Sequence, residues 1–391
     1  MFELSEASRM IQQVAHRFAA DEIRPAAPEF DEREEFPWEI ARKGAAIGLS
    51  GAAWGGPGLN GAGADDPGIA NLVMAEELAW GCAGFATGML ANGLAATAIN
   101  IIGTPDQRDR FLPMCTPHDG ELRVGALGLT EPESGSDAGA MQTRAVRDGD
   151  DYVLTGNKRF ITCGGIADLN VIFATEDPGT GFRGVSAFVV PGGTGGLSQG
   201  QRWKKMGIRA SHTADLVLDD VRVPADHRLG DADPEFRSGG RGALGTLMAT
   251  RPWIGSMAVG LSRAAFEFSA DYARQRHAFG KPIIANQGVS FMLADMDIAI
   301  DASRLLCWRA GELVAKEEPN TLEEASKAKC FAADTAMKVT TDAVQIAGGL
   351  GFMREMPLEK WMRDAKIFQI YEGTSQIQRE VIGRNIARRV F

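Results

Sequence analysis

The sequence predicts an α+β protein built from three consecutive blocks, and three observations carry that prediction. Up to about Cys115, apolar residues recur every three to four positions, the period of a helix face. Between 121 and 232 the pattern changes to short β-branched runs bounded by turn residues. From 233 onward helical spacing returns in longer stretches. Helices, strands and helices kept in separate runs argue against an alternating α/β sheet. The expected division is an N-terminal helical domain over 1–120, a middle antiparallel β domain over 121–232 and a C-terminal helical domain over 233–391. A chain of 391 residues is long enough for two or three domains with a sizeable core.

In order along the chain, "EASRMIQQVAHRFAADEIRP" puts Met10, Val14, Phe18 and Ile23 near one helix face, and Pro25 is expected to end that helix. Asp66-Pro67, cap then proline, starts the helix of "GIANLVMAEELAW". Residues 78–105 carry no charge and are long enough to cross a bilayer. Their asparagines, threonines and glycines favour a buried helix of a large soluble protein, with no membrane span. In the middle block "DYVLTG", "LNVIFAT", "VSAFVV" and "TADLVLDDVRV" read as strands, and Asp148-Gly149 signals a hairpin. Long helical patterns then begin near Gly242, Asn286 and Leu322. "MPLEKWMRDAKIFQIY" and a terminal helix from about Ser375 follow.

Apolar residues make up 45% and charged ones 24%, ordinary for a soluble globular protein. A net charge of −10 disfavours a general nucleic-acid or anionic-membrane binder. Cysteines at 82, 115, 163, 307 and 330 have no metal or redox spacing, which fits a reducing compartment. With no apolar core in the first residues for a secretory signal, a cytoplasmic location is expected. Two spellings mislead. Gly56–Gly61 matches G-x-G-x-x-G but lacks a β-branched strand before it, so a glycine-rich surface loop is expected. Gly196-Leu197-Ser198-Gln199-Gly200 spells a nucleophile elbow, yet "GGTGG" precedes it and a basic run follows, so it too reads as a loop. The five histidines show no zinc spacing, and no metal is expected.

One acid stands out. In "FQIYEGTSQIQREVIGRN" Glu372 lies at a break between two helical patterns, between Tyr371 and Gly373. Ser375 with Gln378 spells a capping box for the next helix. Two readings stand side by side: a hinge acid facing water, or a carboxyl whose proton affinity is raised by apolar neighbours Ile370 and Tyr371 and which serves as a general base.

"YEGTSQIQR" (371–379), "TEPESGSD" (130–137), "FITCGG" (160–165), "RHAFGKPI" (276–283) and "DAVQIAGGLGF" (342–352) together resemble the signatures of the acyl-CoA dehydrogenases, in order and spacing along the whole chain. The likeness is greatest to medium- and short-chain straight-chain members. It implies a helical domain, a β domain and a C-terminal four-helix bundle, with FAD between the last two. It further implies conversion of a fatty acyl-CoA to the trans-2-enoyl-CoA in β-oxidation, an electron-transferring flavoprotein as acceptor, and a homotetramer arranged as a dimer of dimers. Glu372 matches the catalytic base; the long helix after the β domain offers no carboxylate between 238 and 262 to replace it. Leu129, Thr130, Gly135, Ser136, Phe160 and Thr162 match positions around the flavin ring. Arg276, Phe279, Gln287, Gln345 and Gly349 match positions that hold the ADP part, partly across a dimer interface, and Thr374 and Gln376 fall at flavin-side positions. For the substrate, Thr87 and Leu90 match the acyl pocket, Ser136 and Ser186 CoA contacts, and Arg251, Tyr371 and Gly373 the surroundings of the base. Cys163, Phe160, Ala278 and Met248 depart from the usual family residues without removing a group the reaction needs. An acyl-CoA oxidase, an enoyl-CoA reductase running the same site backwards and a non-enzymatic helical scaffold are the competing readings. The likeness leaves the acyl chain length open.

Overall fold

The computed structural model describes residues 4–49, 66–116, 121–231, 239–318 and 320–389. The Gly56–Gly61 spelling lies outside the described residues. The N-terminal block holds α1 (Glu6–Phe18), α2 (Arg24–Arg33), α3 (Trp38–Ala46), α4 (Pro67–Gly81), α5 (Ala83–Met89), α6 (Asn92–Ile102) and α7 (Pro105–Cys115). Pro25 does not end the first helix. A π-turn over Ala19–Ile23 widens the backbone, and Pro25 falls in the first turn of α2, where its missing N–H costs no helix bond. Asp66 does precede α4, but its carboxylate takes the Ser5 and Ser8 hydroxyls and ties α1 to α4. The uncharged stretch Ala83–Ile102 is 89% buried inside the fold.

The middle block is one twisted sheet of β1 (Gly125–Gly128), β2 (Arg144–Asp148), β3 (Asp151–Thr162), β4 (Leu169–Thr175), β5 (Val185–Pro191), β6 (Leu197–Arg202) and β7 (Thr213–Pro224), ordered β1-β4-β2-β3-β7-β6 with β5 on β4. Asp148 pairs with Asp151 across the expected hairpin, with Gly149 at φ 63°. Four pairings are antiparallel, but β1 and β2 meet β4 in parallel, so the sheet is mixed at that edge. The Gly196–Gly200 segment, expected as a loop, largely forms edge strand β6 against β7. Its residues are polar because an edge strand keeps one side in water, which hides the strand period.

The C-terminal block packs α8 (Gly239–Gln275), α9 (Gln287–Ala315), α10 (Thr321–Ala347) and α12 (Ser375–Ile386) into a bundle, with short α11 (Leu358–Ala365) preceding the last helix. Between α8 and α9 lies a hairpin of β8 (His277–Ala278) and β9 (Lys281–Pro282). Among the contacts that join the blocks, three bear on the site. The Ile208 amide of the β domain donates to the buried Asp364 carboxylate of α11 at 2.5 Å. The Cys163 thiol, one residue beyond β3, sits 3.7 Å from the Gly88 carbonyl of α5. A ring of Arg263 and Arg304 holds Glu76 of α4 against α8 and α9.

A candidate active site where three blocks meet

The hinge before α12 is built from its backbone outward. A 3₁₀ turn over Lys366–Gln369 runs out, and Glu372 and Gly373 both take left-handed conformations, φ 56° and 89°. Glycine enters that region freely, whereas a glutamate is strained in it. Strain of this kind gathers where a side chain must be aimed. The cap of α12 is Thr374, whose hydroxyl accepts from the Ile377 amide, not Ser375. Gln378 is buried and reaches back to donate to the carbonyls of Glu372 and Gly373 at 3.0 and 2.9 Å. The cap therefore lies one residue earlier than the spelling predicts, and with Ile377 at the third helical position no capping box closes.

The Glu372 carboxyl is half-buried, and its Oε2 accepts from the Thr250 hydroxyl of α8 at 2.9 Å. Burial raises its pKa above the ordinary carboxyl value, opposed by the Thr250 hydrogen bond and by the charges of Arg251 and Lys329. Arg251 is buried on α8 and donates to the Ser326 hydroxyl at 3.0 Å; burial lowers its pKa, with Glu372 pulling the other way. The apolar cover expected from Ile370 is absent, since that side chain is 49% exposed. Tyr371 supplies it: burial pushes its phenol pKa up, and the phenol faces the hydroxyl of Thr87 on α5. Thr87 and Leu90 are both buried. The contact of Cys163 with Gly88 brings the end of β3, and so Thr162, to the same helix. Glu372, Thr250, Arg251, Tyr371, Thr87, Leu90 and Thr162 thus gather where the bundle, α5 and the sheet converge.

The β-domain residues offer a surface suited to a flat, multi-ring ligand. The register of β3 shifts between Lys158 and Ile161, a bulge that re-aims the chain. Phe160 on that bulge has φ 60° and a side chain 54% exposed, with its ring 5.1 Å from that of Trp203. An aromatic side chain held outward on strained backbone makes a stacking face rather than core. Leu129 is buried at the end of β1; Gly135 and Ser136 are exposed, and a side chain added at Gly135 would meet nothing within 4 Å. The loop is pinned beneath by the buried pair of Lys158 and Glu131, 2.6 Å apart, and Thr130 accepts from the Arg159 amide. These residues fit an isoalloxazine ring and its chain.

The other expected flavin residues lie elsewhere. Arg276, Phe279, Gln287, Gln345 and Gly349 are exposed at the far end of the bundle, Phe279 by 97%. Arg276 is about 25 positions from Arg251, roughly 37 Å of helix at ~1.5 Å per residue. Within one chain they do not join the Glu372 cluster. Thr374 and exposed Gln376 stand beside it. Ser186 is buried in β5, and its hydroxyl donates to Glu176, which Arg228 also holds. It needs a partner inside the sheet, which the spelling of a strand cannot reveal. Conversely, Thr250, Lys329 and Trp203 carry no motif of their own, and Gln378, read as part of a capping box, serves the hinge carbonyls instead. A polar residue on an apolar helix face was the only sequence signal of Thr250 and Lys329.

Compared with known proteins, the chain matches three domain models in order. They are the acyl-CoA dehydrogenase N-terminal domain over residues 5–118, middle domain over 126–221 and C-terminal domain over 237–387. The short-chain-specific acyl-CoA dehydrogenase of Clostridium acetobutylicum is 40% identical over 390 residues, spanning 99% of this chain and 100% of that one. The structure of butyryl-CoA dehydrogenase from Megasphaera elsdenii superposes with a TM-score of 0.92 at 38% identity, covering 99% of this chain and 100% of the other. A structure of PigA with FAD and proline gives 0.90 at 27% identity over 99% of each chain. By these matches and by its fold, the chain belongs to the acyl-CoA dehydrogenase family.

Proposed function

We propose that Glu372 is the base with which this FAD-dependent acyl-CoA dehydrogenase removes the α proton of a short-chain acyl thioester. The observation that carries it is the Glu372 carboxyl itself: aimed by a strained hinge, raised in proton affinity by burial, and held at one oxygen by Thr250. With Oε2 engaged, Oε1 is the atom for the proton. No acceptor among the described residues takes the Glu372 amide hydrogen, and that amide is the donor we assign to the thioester carbonyl. A donor preorganised for a developing enolate contributes most where water is excluded. Bound FAD supplies the acceptor for the β hydrogen, which leaves as hydride. Phe160, Trp203, Thr162, Thr130 and Ser136 would hold its ring end, and Thr87, Leu90 and Tyr371 line the acyl side. The short chain length rests on the relatives named above.

The flavin-contact positions fall in two clusters, one on the β domain and one exposed at the far end of the bundle. This supports a homo-oligomer, a dimer of dimers, in which a second copy supplies Arg276, Phe279, Gln287, Gln345 and Gly349. We assign an electron-transferring flavoprotein as acceptor on the family likeness. The five cysteines are free and buried, in keeping with a cytoplasmic setting. The test is anaerobic: yellow enzyme is mixed with butyryl-CoA or palmitoyl-CoA and the flavin band is followed. Rapid bleaching with butyryl-CoA is expected, and none with Glu372→Gln despite retained colour. Bleaching of that variant at the wild-type rate would remove Glu372 as base, and preference for palmitoyl-CoA would remove the short-chain assignment.

A further inference from the structure

Beneath the base, α10 carries a buried cation. Lys329 lies in α10 with 0% exposure, where a lysine is found only if something holds its charge. Its ammonium donates to the Gly373 carbonyl at 2.7 Å, the same oxygen that Gln378 takes at 2.9 Å. Two donors from two helices thus converge on a hinge of two left-handed residues, one a strained glutamate. A hydrophobic lysine substitute would fill the space equally well, and one donor would satisfy the carbonyl. The extra charge therefore calls for a reason beyond packing.

We infer that Lys329 is a positioning residue for the base: from inside α10 it grips the Gly373 carbonyl, fixing the direction of Glu372, and it lends the neighbouring carboxylate a positive charge. The inference rests on Glu372 being the base. Burial lowers the Lys329 pKa to about 8, with Glu372 acting to raise it and Arg251 to lower it, so the ammonium is mostly charged at neutral pH. The groups facing the pair are Thr250 and Arg251 from α8, Cys330 and Asp334 from α10, Gln378 from α12 and Tyr371 from the hinge. Arg251 is the other cation beside Glu372, so removing Lys329 weakens the field without abolishing it.

The test compares Lys329→Gln, which keeps a donor but loses the charge, with Lys329→Arg and Lys329→Met in the FAD-loaded enzyme. With the charge gone, Glu372 ionises at higher pH. The acid limb of kcat/KM against pH should move up by about one unit in Lys329→Gln and return towards wild type in Lys329→Arg. In Lys329→Met the hinge also loses its grip, and kcat should fall at least tenfold with little change in KM. Should Lys329→Met fail to fold, the Gln and Arg pair carries the test. Variants with reduced thermal stability but an unmoved acid limb would make Lys329 merely structural and overturn the inference. Glu372→Gln separates the two readings: if it is inactive while the Lys329 profiles stay unmoved, only the role of Lys329 fails.

Discussion

At the scale of one residue, Glu372 costs the fold stability that the role of base we propose for it would use. Its pKa is raised in the folded protein by burial above the ordinary 4.5. A carboxyl raised in this way binds its proton more tightly when folded, so its ionisation disfavours the fold as pH rises. The cost is absent below the ordinary value and fully present above the folded one. Glu372→Gln removes the ionisation and keeps an oxygen to accept from Thr250. The variant should therefore melt at a higher Tm than wild type at neutral pH, and the difference should shrink as the pH falls towards 4.5. A Tm difference independent of pH would mean that the carboxyl is solvated like any surface acid. Such an exchange of stability for activity is common where a charge must be kept from water. This residue was legible in the sequence as an acid at a glycine hinge. Two of its supports were not, because Lys329 and Thr250 come from other helices, and only folding makes them neighbours; Gln378 was singled out, but as a cap and not as a donor to the hinge carbonyls.

At the scale of elements, the loop we assign to the flavin rests on a salt bridge. Lys158 on β3 and Glu131 beyond β1 are both buried and 2.6 Å apart, and Glu131 also accepts from the Gln142 and Thr143 amides at 2.5 and 3.0 Å. Burial alone would raise the Glu131 pKa, but Lys158 and those amides outweigh it and hold the carboxyl below its ordinary value. Removing one partner leaves the other buried without compensation, a loss of about 3–5 kcal/mol. Lys158→Met is thus expected to lower the urea midpoint markedly and to weaken FAD retention, read by flavin released on gel filtration. Retention of FAD at wild-type strength in a destabilised variant would separate the bridge from the cofactor loop. The strands around it were legible where one face is buried, as in β3 and β7, or where the run is largely apolar and buried throughout, as in β4. The edge strand β6 was not, since its alternation is masked by polar residues on both faces. Pro25 misled for a related reason: it is read as a stop, whereas the π-turn ahead of it turns it into a start.

At the scale of the whole molecule, the site needs the N-terminal block seated on the bundle, because α4 leads directly into α5, which carries Thr87. At two points that seating brings backbone against backbone. A Cβ on Gly260 of α8 would lie 2.0 Å from the Glu76 carbonyl of α4, and one on Gly311 of α9 would lie 2.4 Å from the Gly68 carbonyl. Arg263 and Arg304 then close on Glu76 at 2.7 and 3.0 Å, an approach the glycines make possible. In sequence a glycine inside a helix reads only as a weakness of about 1 kcal/mol, so this joint was invisible before folding. Gly260→Ala must push α4 off α8, since the obstacle is backbone and cannot rotate away. A loss of about 2–3 kcal/mol is expected for such overpacking. The KM for acyl-CoA should rise with it as α5 moves from Tyr371. Gly245→Ala is the control within the same helix. Its nearest neighbour is the Ile101 side chain at 3.4 Å, ordinary contact, so the better helix former should leave stability unchanged or raise it by up to about 1 kcal/mol. Chemical denaturation of the two variants side by side decides the matter: equal effects would show that α8 responds to alanine alone, and a deficit confined to Gly260 would show that the closeness of two backbones seats the substrate pocket.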